Sequence, residues 1–355
     1  MPETWPAPGA AAGTGAPPLN EDGSLLEIRD LSVRFRGRSS SVTAVDGLSL
    51  SLAPGEVLGI VGESGSGKSV SMMSVLGLIR NANATVTGEV IFGGQNLLAM
   101  PDKRLRTVRG RQIAMIFQDP MTALTPVYTV GWHIAEALRA HRRMSRAQAK
   151  VRAIELLTEV GIPNPERRVD AFPHELSGGM RQRAVIAMAL ACGPALLIAD
   201  EPTTALDVTT QAQILDLMRR LRQEHGSAII LITHDMGVVS SIADRVLVMY
   251  GGRPVEQGPR RQVFGAPRHP YTRGLLRSVP SVTGPRPRRL AAIPGVPISL
   301  EDPPIGCGFA PRCEHRHDAC GQRPALSGAG PHRYACWLSD GQRDWLAADT
   351  NRRAP

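Results

Sequence analysis

Thirteen residues, 57–69, carry the clearest structural signal in the sequence and read VLGIVGESGSGKS. A continuous apolar run ends in glycines, and helical spacing follows to about residue 78. This order is typical of a buried parallel strand that leads into a helix. The last eight residues match G-x-x-x-x-G-K-[ST], a loop whose glycines let backbone N–H groups surround phosphate oxygens. The strand, loop and helix together predict a nucleotide-phosphate site.

Residues 62–69, called the phosphate loop below, imply ATP and Mg²⁺ as cofactors. Lys68 is expected to reach the β- and γ-phosphates, and the Ser69 hydroxyl to ligate Mg²⁺. The helix N-terminus near Gly67 would direct its positive dipole end at the phosphates. A glycine- and serine-rich turn that matches by chance is the alternative, which the flanking strand and helix disfavour. The predicted binding residues are Gly62, Ser64, Gly65, Ser66, Gly67, Lys68 and Ser69.

Two more buried strands are predicted to end in polar side chains. Residues 196–201 read LLIADE, so Asp200 stands at the carboxyl end of a strand, where ligands bind in open α/β sheets. Asp200 is expected to hold Mg²⁺, and Glu201 to polarise the attacking water. His234 ends the next apolar run, which predicts a position beside the γ-phosphate. The alternatives are a solvated strand end and a structural histidine.

Composition excludes two classes of protein. The chain has 355 residues, of which 42% are apolar and 21% charged, and no apolar run approaches the ~18 residues of a membrane span. Five cysteines are too few for a secreted disulfide scaffold. The net charge of +9 permits contact with nucleic acid or an anionic membrane but requires neither.

Strands and helices alternate through most of the chain, which predicts an α/β fold with a mainly parallel core sheet. Residues 1–24 are rich in Pro, Gly and Ala and are predicted to be a disordered tail. Residues 25–265 form the predicted α/β domain, with antiparallel strands at its start and a mostly helical insert at about 120–180. Residues 266–355, called the C-terminal extension below, are predicted to be a smaller second domain.

The stretch 176–183, LSGGMRQR, resembles the signature motif of ABC-type ATPases, whose usual fifth residue is Gln rather than Met180. The resemblance covers about 25–335. Two further stretches, 117–126 (FQDPMTALTP) and 199–208 (ADEPTTALDV), are similar to the ATPases of the oligopeptide, dipeptide and nickel importers. Met180 and the pair Thr203-Thr204 resemble the "D" member of that family's paired ATPases.

The resemblance implies roles for residues outside the phosphate loop. Phe35 would stack on adenine, with ordinary strand packing as the alternative. Gln118 would touch Mg²⁺ or its water. Residues 121–128 and the helices after them would form the socket for a transmembrane partner. The residues expected to reach the ATP held by an opposite ATPase subunit, or to cross that interface, are Ser177, Gly178, Gly179 and Asp207.

The resemblance also implies a function: ATP hydrolysis that powers peptide import, with Lys68, Gln118, Glu201 and His234 as the catalytic set. The expected partners are a second ABC ATPase in a heterodimer, two transmembrane permease subunits and an extracytoplasmic solute-binding protein. The expected location is the cytoplasmic face of the membrane. In a variant of this function, the transported solute is nickel, glutathione or another small solute instead of a peptide. An ATPase acting on nucleic acid or ribosomes is the alternative from another class, but no nucleic-acid partner is expected.

Four late cysteines, Cys307, Cys313, Cys320 and Cys336, have the spacing C-x₅-C-x₆-C-x₁₅-C. In a loop-like region they suggest a metal or cluster site, with His315, His317 and His332 as rival ligands. Because some members of the resembled family carry an iron–sulfur cluster here, we expect one [4Fe–4S] cluster, with Zn²⁺ or four unliganded thiols as alternatives. The phosphate loop is taken as a separate part of the fold, so single Cys→Ser changes are predicted to loosen the C-terminal extension more than they damage ATP binding.

Overall fold

The computed structural model describes residues 17–37, 40–80, 83–119, 123–204, 206–279, 292–328, 330–339 and 341–343. Residues 1–16 of the predicted tail lie outside this set. The prediction of disorder does not hold for residues 19–24, where the buried Asn20 amide donates to Ser24 Oγ (3.0 Å) and to the Ile91 carbonyl oxygen (3.2 Å). These long-range bonds fasten the segment to the strand that contains Ile91.

The described strands form two sheets, as the fold class predicted from the sequence requires. In chain order they are β1 (Leu26–Arg36), β2 (Ser41–Leu52), β3 (Val57–Val61), β4 (Ala84–Phe92), β5 (Gln95–Asn96), β6 (Ile113–Ile116), β7 (Leu196–Asp200), β8 (Ala228–Thr233), β9 (Arg245–Tyr250), β10 (Arg253–Pro259) and β11 (Arg333–Tyr334). One sheet has the order β2-β1-β4-β5, and the other β11-β10-β9-β3-β8-β7-β6. β3 pairs parallel with β9, and β6 with β7, whereas β10 pairs antiparallel with β9 and β11.

The described α-helices are α1 (Lys68–Val75), α2 (Asp102–Val108), α3 (Val130–His141), α4 (Arg146–Glu159), α5 (Pro165–Arg168), α6 (Gly178–Leu190), α7 (Val208–His225), α8 (Met236–Ile242), α9 (Arg260–Gly265) and α10 (Pro270–Ser278). Among the described residues, no helix combines the length and the apolar character needed to cross a membrane. Several helices begin at side chains that cap the backbone. Ser145 and Gln148, for example, form a capping box at the start of α4.

The described chain divides into two compact units, each built from several segments. The first comprises the described residues up to Leu26, Ser51–Glu56 and Ile91–Ile230. Within it, α3 packs on α4 and both contact α6, in the region where the sequence predicts a helical insert. Every residue of β7 is buried. Neighbouring strands pair with β7 and its faces are covered, so none of its side chains reaches water.

The second unit comprises Glu27–Leu50, Val57–Val90 and Leu231–Pro355. Its β3 is also buried throughout. The C-terminal extension does not form a sheet of its own, because β11 pairs with β10, across the boundary at residue 265 that the sequence suggests. Beneath this pairing, the fully buried Glu256 carboxylate accepts from the backbone N–H groups of Arg268 (2.7 Å) and His269 (2.9 Å). The extension is therefore joined to β10 by both backbone and side-chain bonds.

Candidate functional site

The phosphate loop leaves β3 and closes tightly against its neighbours. Gly67 has φ +94°, and a Cβ there would lie 2.3 Å from the Ala44 carbonyl oxygen. A Cβ on Gly62 would lie 2.2 Å from the Met249 carbonyl oxygen. Neither position admits a larger residue without movement of the backbone, which is why the motif requires glycine at both ends.

Lys68 points back into the loop that precedes it. Its ammonium group donates to the carbonyl oxygens of Gly62 (2.7 Å) and Glu63 (2.9 Å) and to Ser66 Oγ (3.3 Å). The side chain is only 6% exposed. All three acceptors belong to the phosphate loop, so the ammonium group lies at the loop itself, where a lysine can bind phosphate as a point charge. The predicted phosphate-binding lysine is thus inside the predicted cradle.

Side chains of the C-terminal extension also hold the loop, which the sequence did not predict. The Glu63 N–H donates to the Tyr271 hydroxyl oxygen (2.8 Å), and the Glu63 carboxylate accepts two hydrogen bonds from Arg312 (2.6 and 3.0 Å). The hydrogen bonds to this carboxylate are the main reason that the pKa of Arg312 is raised. No local pattern links residues 249 positions apart, so sequence spacing carried no signal for this contact.

Gln118 and Glu201 come together in the first unit. β6 and β7 run parallel with Ile116 opposite Ala199, so both strands deliver the residues that follow them to one edge. Gln118 Nε2 donates to Glu201 Oε2 (3.0 Å), which also accepts from Thr204 Oγ1 (2.8 Å). Asp200, at the end of β7, is buried. We call Gln118, Asp200 and Glu201 the acidic edge.

Glu201 has an unusual backbone conformation. Its φ is +48°, in the left-handed region that residues other than glycine rarely adopt. Backbone strain of this kind costs on the order of 1–3 kcal/mol and is concentrated at functional sites. The left-handed backbone at Glu201 accompanies the two hydrogen bonds that fix its carboxylate.

The signature motif begins a helix at the surface of the first unit. Ser177 and Gly178 are exposed, and Ser177 Oγ accepts from the Met180 N–H (3.3 Å) at the start of α6. A Cβ on Gly179 would lie 2.7 Å from Thr210 Cγ2, so this glycine permits close packing on α7. Asp207 caps α7 by accepting from the Thr210 N–H (3.0 Å). It also accepts from the Thr210 hydroxyl (2.6 Å), and this bond is the main cause that lowers the pKa of Asp207.

The other predicted ATP-site residues lie in the second unit. His234 is exposed directly after β8, and Ser69 lies half-buried in the first turn of α1. Phe35 is half-buried in β1, which leaves part of its ring available for stacking. Of the predicted socket at 121–128, residues 121 and 122 lie outside the described chain.

All four late cysteines line one small cavity, of about 10 Å³, together with the rival ligands His315 and His317. His332 does not line it, because its Nε2 pairs with Glu256 Oε1 (2.7 Å). Within the described chain, no three or more His, Cys, Asp or Glu side chains lie close enough together to hold a metal ion. Burial raises the pKa of Cys307 and Cys336, and that of Cys313 to about 11.

Two protein families match separate parts of the sequence. Residues 45–204, which include the phosphate loop, signature motif and acidic edge, match the ABC transporter family. Residues 255–320 match the C-terminal region of oligopeptide/dipeptide transporters. The dipeptide transport ATP-binding protein DppD of Escherichia coli is 50% identical over 86% of this chain and 93% of its own. The chain belongs to the ABC transporter ATPases.

Other relatives place this ABC ATPase in the peptide branch. The oligopeptide transport ATP-binding protein OppD of Bacillus subtilis is 50% identical over 88% of each chain. A protein of Sinorhizobium fredii, described as a probable peptide ABC transporter ATP-binding protein, is 54% identical over 89% of this chain and 95% of its own. The family resemblance inferred from the motifs is therefore confirmed.

A solved structure agrees with the fold of this ABC ATPase. The ATP-binding cassette MJ0796, as a dimer in a post-hydrolysis state bound to ADP and phosphate, aligns with TM-score 0.60 and 28% identity. The alignment covers 66% of this chain and 99% of the cassette. The motifs thus correctly indicated both the ATPase fold and ATP as its ligand.

Proposed function

We propose that this chain is the ATP-hydrolysing, "D"-type subunit of an ABC importer for dipeptides or oligopeptides. The observation that carries the proposal is the match over at least 86% of the chain to ATP-binding proteins named for dipeptide and oligopeptide transport. The family match alone does not name the solute, so nickel, glutathione or another small solute remains the alternative cargo.

The residues present fit ATP and Mg²⁺. The glycine cradle and the buried Lys68 suit the phosphates, and the oxygens of Ser69, Gln118 and Asp200 are ligands that Mg²⁺ prefers. Bound Mg²⁺ would offset the negative charge of the phosphates. Glu201 orients and polarises the attacking water, because its carboxylate is fixed by Gln118 and Thr204.

Each ATP is proposed to lie between two ATPase subunits of a heterodimer. The exposed Ser177 and Gly178 at the N-terminus of α6 would meet the γ-phosphate held by the other subunit. Asp207 and the 85%-exposed Val208 lie at the start of α7, on which Gly179 packs, and would contribute to the same interface.

The proposed contact with the two permease subunits is an exposed aromatic surface in the first unit. Tyr128 stacks on Trp132 with ring centroids 3.8 Å apart, and both rings are 43% exposed, beside Val127 at 70%. The Thr125 N–H donates to His133 Nε2 (2.9 Å), which fixes the loop before α3. These residues would place the chain at the cytoplasmic face of the membrane, with a solute-binding protein on the opposite side.

The test compares the isolated chain with the complete complex. Because the isolated chain lacks donors on one side of the γ-phosphate, its ATPase rate per subunit should rise steeply with subunit concentration or with added partner chains. Mass spectrometry of the co-purified complex would identify the partners and the bound solute. Full activity of a monomer at high dilution would contradict the composite site, and a bound solute that is not a peptide would contradict the proposed cargo.

We also propose that Cys307, Cys313, Cys320 and Cys336 hold one [4Fe–4S] cluster, with Zn²⁺ as the rival. A cluster would link segments of a region with little apolar burial. Anaerobic purification with iron, sulfide and zinc analysis distinguishes the two. A brown protein with stoichiometric iron and sulfide supports the cluster, whereas stoichiometric zinc without sulfide, or no metal at all, contradicts it.

A further inference from the structure

Glu63, the second residue of the phosphate loop, is held by three different groups. Its N–H donates to the Tyr271 hydroxyl oxygen, its carbonyl oxygen accepts from Lys68 Nζ, and its carboxylate accepts both hydrogen bonds of the Arg312 fork. Tyr271 and Arg312 belong to the C-terminal extension. The conformation of the phosphate loop is thus set partly by residues more than 200 positions away.

Arg312 is fixed by its surroundings. Its side chain is 4% exposed, its Nε donates to the Pro294 carbonyl oxygen (2.8 Å), and one Nη donates to the Ile293 carbonyl oxygen (3.3 Å). The guanidinium also lies 5.8 Å from the centre of the Tyr250 ring. Because the planar guanidinium has this many partners, it presents its fork to Glu63 in one orientation.

We propose that Arg312 and Tyr271 are positioning residues for the phosphate loop, so that ATP affinity depends on the C-terminal extension through Glu63. The proposal rests on the proposed ATPase function. Tyr271 and Arg312 fix the Glu63 peptide, whose carbonyl oxygen in turn orients Lys68. Arg312 also neutralises a carboxylate that would otherwise repel the phosphates that bind this loop.

Because Glu63 carries a negative charge, substitutions of the two partners of the ion pair should have different effects on ATP affinity. Arg312→Gln leaves an unneutralised carboxylate in the loop, so ATP binding should weaken about tenfold. Glu63→Gln removes the negative charge and keeps a hydrogen-bond acceptor for Arg312, so it should weaken ATP binding less than Arg312→Gln does. Both variants lose the ion pair, and both should have a lower Tm. The double variant Glu63→Gln/Arg312→Gln should recover most of the affinity that Arg312→Gln loses.

Tyr271→Phe tests the other contact. It removes the acceptor of the Glu63 N–H without changing charge, so ATP affinity should fall about threefold. Arg316→Gln is the matched control, because Arg316 is an exposed arginine four residues beyond Arg312. This variant should bind ATP as the wild type does.

The experiment measures equilibrium binding of a fluorescent ATP analogue and thermal unfolding, both on the full chain. A wild-type chain that does not bind nucleotide would refute the proposed function itself. A wild-type chain that binds, with Arg312→Gln binding equally tightly, would overturn only the positioning role. Equal weakening by Glu63→Gln and Arg312→Gln would also overturn it, since a merely structural pair would respond in this way.

A conservative variant keeps the test decisive if Arg312→Gln does not fold. Arg312→Lys retains the positive charge but not the two-pronged fork, so its ATP affinity should lie between those expected for wild type and Arg312→Gln. An affinity for Arg312→Lys equal to that of wild type, together with an unchanged affinity for Tyr271→Phe, would contradict the proposal.

Discussion

The acidic edge and the phosphate loop are both proposed to act in the ATP chemistry, but they are held in place differently. Glu201 is fixed by Gln118, from the neighbouring parallel strand, and by Thr204, three residues further along the chain. Glu63 in the phosphate loop is fixed by Tyr271 and Arg312, 208 and 249 residues away. The groups that support a catalytic motif can therefore be local or distant, and the motif itself does not reveal which.

This difference corrects one premise of the sequence analysis. The expectation that Cys→Ser changes loosen the C-terminal extension more than they damage ATP binding assumed that the phosphate loop is separate from this extension. That assumption is wrong, because Arg312 contacts the loop and directly precedes Cys313 at the end of the short 3₁₀ turn Ala310–Arg312. Changes in the cysteine region can therefore reach the loop through a single ion pair.

The largest expected effect is at the acidic edge. Glu201→Gln should reduce the ATPase rate of the complex ~10²–10⁴-fold, because it removes the base that polarises water. ATP binding should persist, since the phosphate loop is unchanged, and the ATP-bound dimer should accumulate. Steady-state hydrolysis and nucleotide binding measure the two effects, with Glu224→Gln, an exposed position on α7, as the control. A near-normal rate for Glu201→Gln would exclude this role.

A smaller effect on the ATPase rate is expected when the hydrogen bond from Gln118 to Glu201 is removed. Gln118→Ala removes the hydrogen bond to Glu201 Oε2, and a bond to a charged group contributes about 1.5 kcal/mol, so kcat should fall about tenfold. The affinity for ATP in the absence of Mg²⁺ should change little. Gln223→Ala, at an exposed position on α7, serves as the control. If Gln118→Ala weakened Mg²⁺-free ATP binding more than it lowered kcat, the acidic edge would act in ATP binding, the role assigned to the phosphate loop, and not mainly in hydrolysis.

The smallest expected effect comes from the cysteine region and acts on the phosphate loop. Cys313→Ser should raise the Kd for ATP about threefold, because displacement of the turn that carries Arg312 weakens its hydrogen bonds to Glu63. The value of kcat at saturating ATP should remain close to wild type, in contrast to Gln118→Ala. The matched control is Cys192→Ala, since Cys192 is buried outside the cysteine cavity. An unchanged Kd in Cys313→Ser would show that the cysteine region and the loop are not coupled.

The residues that carry chemistry were predicted from the sequence because their signals are local. Lys68 lies within the predicted loop, and Glu201 follows a buried strand whose apolar run is evident from the sequence alone. The start of α1 was found within one residue, near Gly67, because the phosphate-loop motif directly precedes the helix. Short elements such as α5, with few periodic positions, have no comparable signal.

The sequence by itself determined the ATPase fold and the family and supplied the predicted ATP-site residues, since each depends on a short run of residue types whose backbone geometry is set by near neighbours. Only the tertiary structure decided which groups hold those residues. The partners of Glu63 and the position of β11 beside β10 depend on how distant segments pack. An ion pair across 249 residues leaves no periodic trace in the chain, because its geometry exists only after the core has formed.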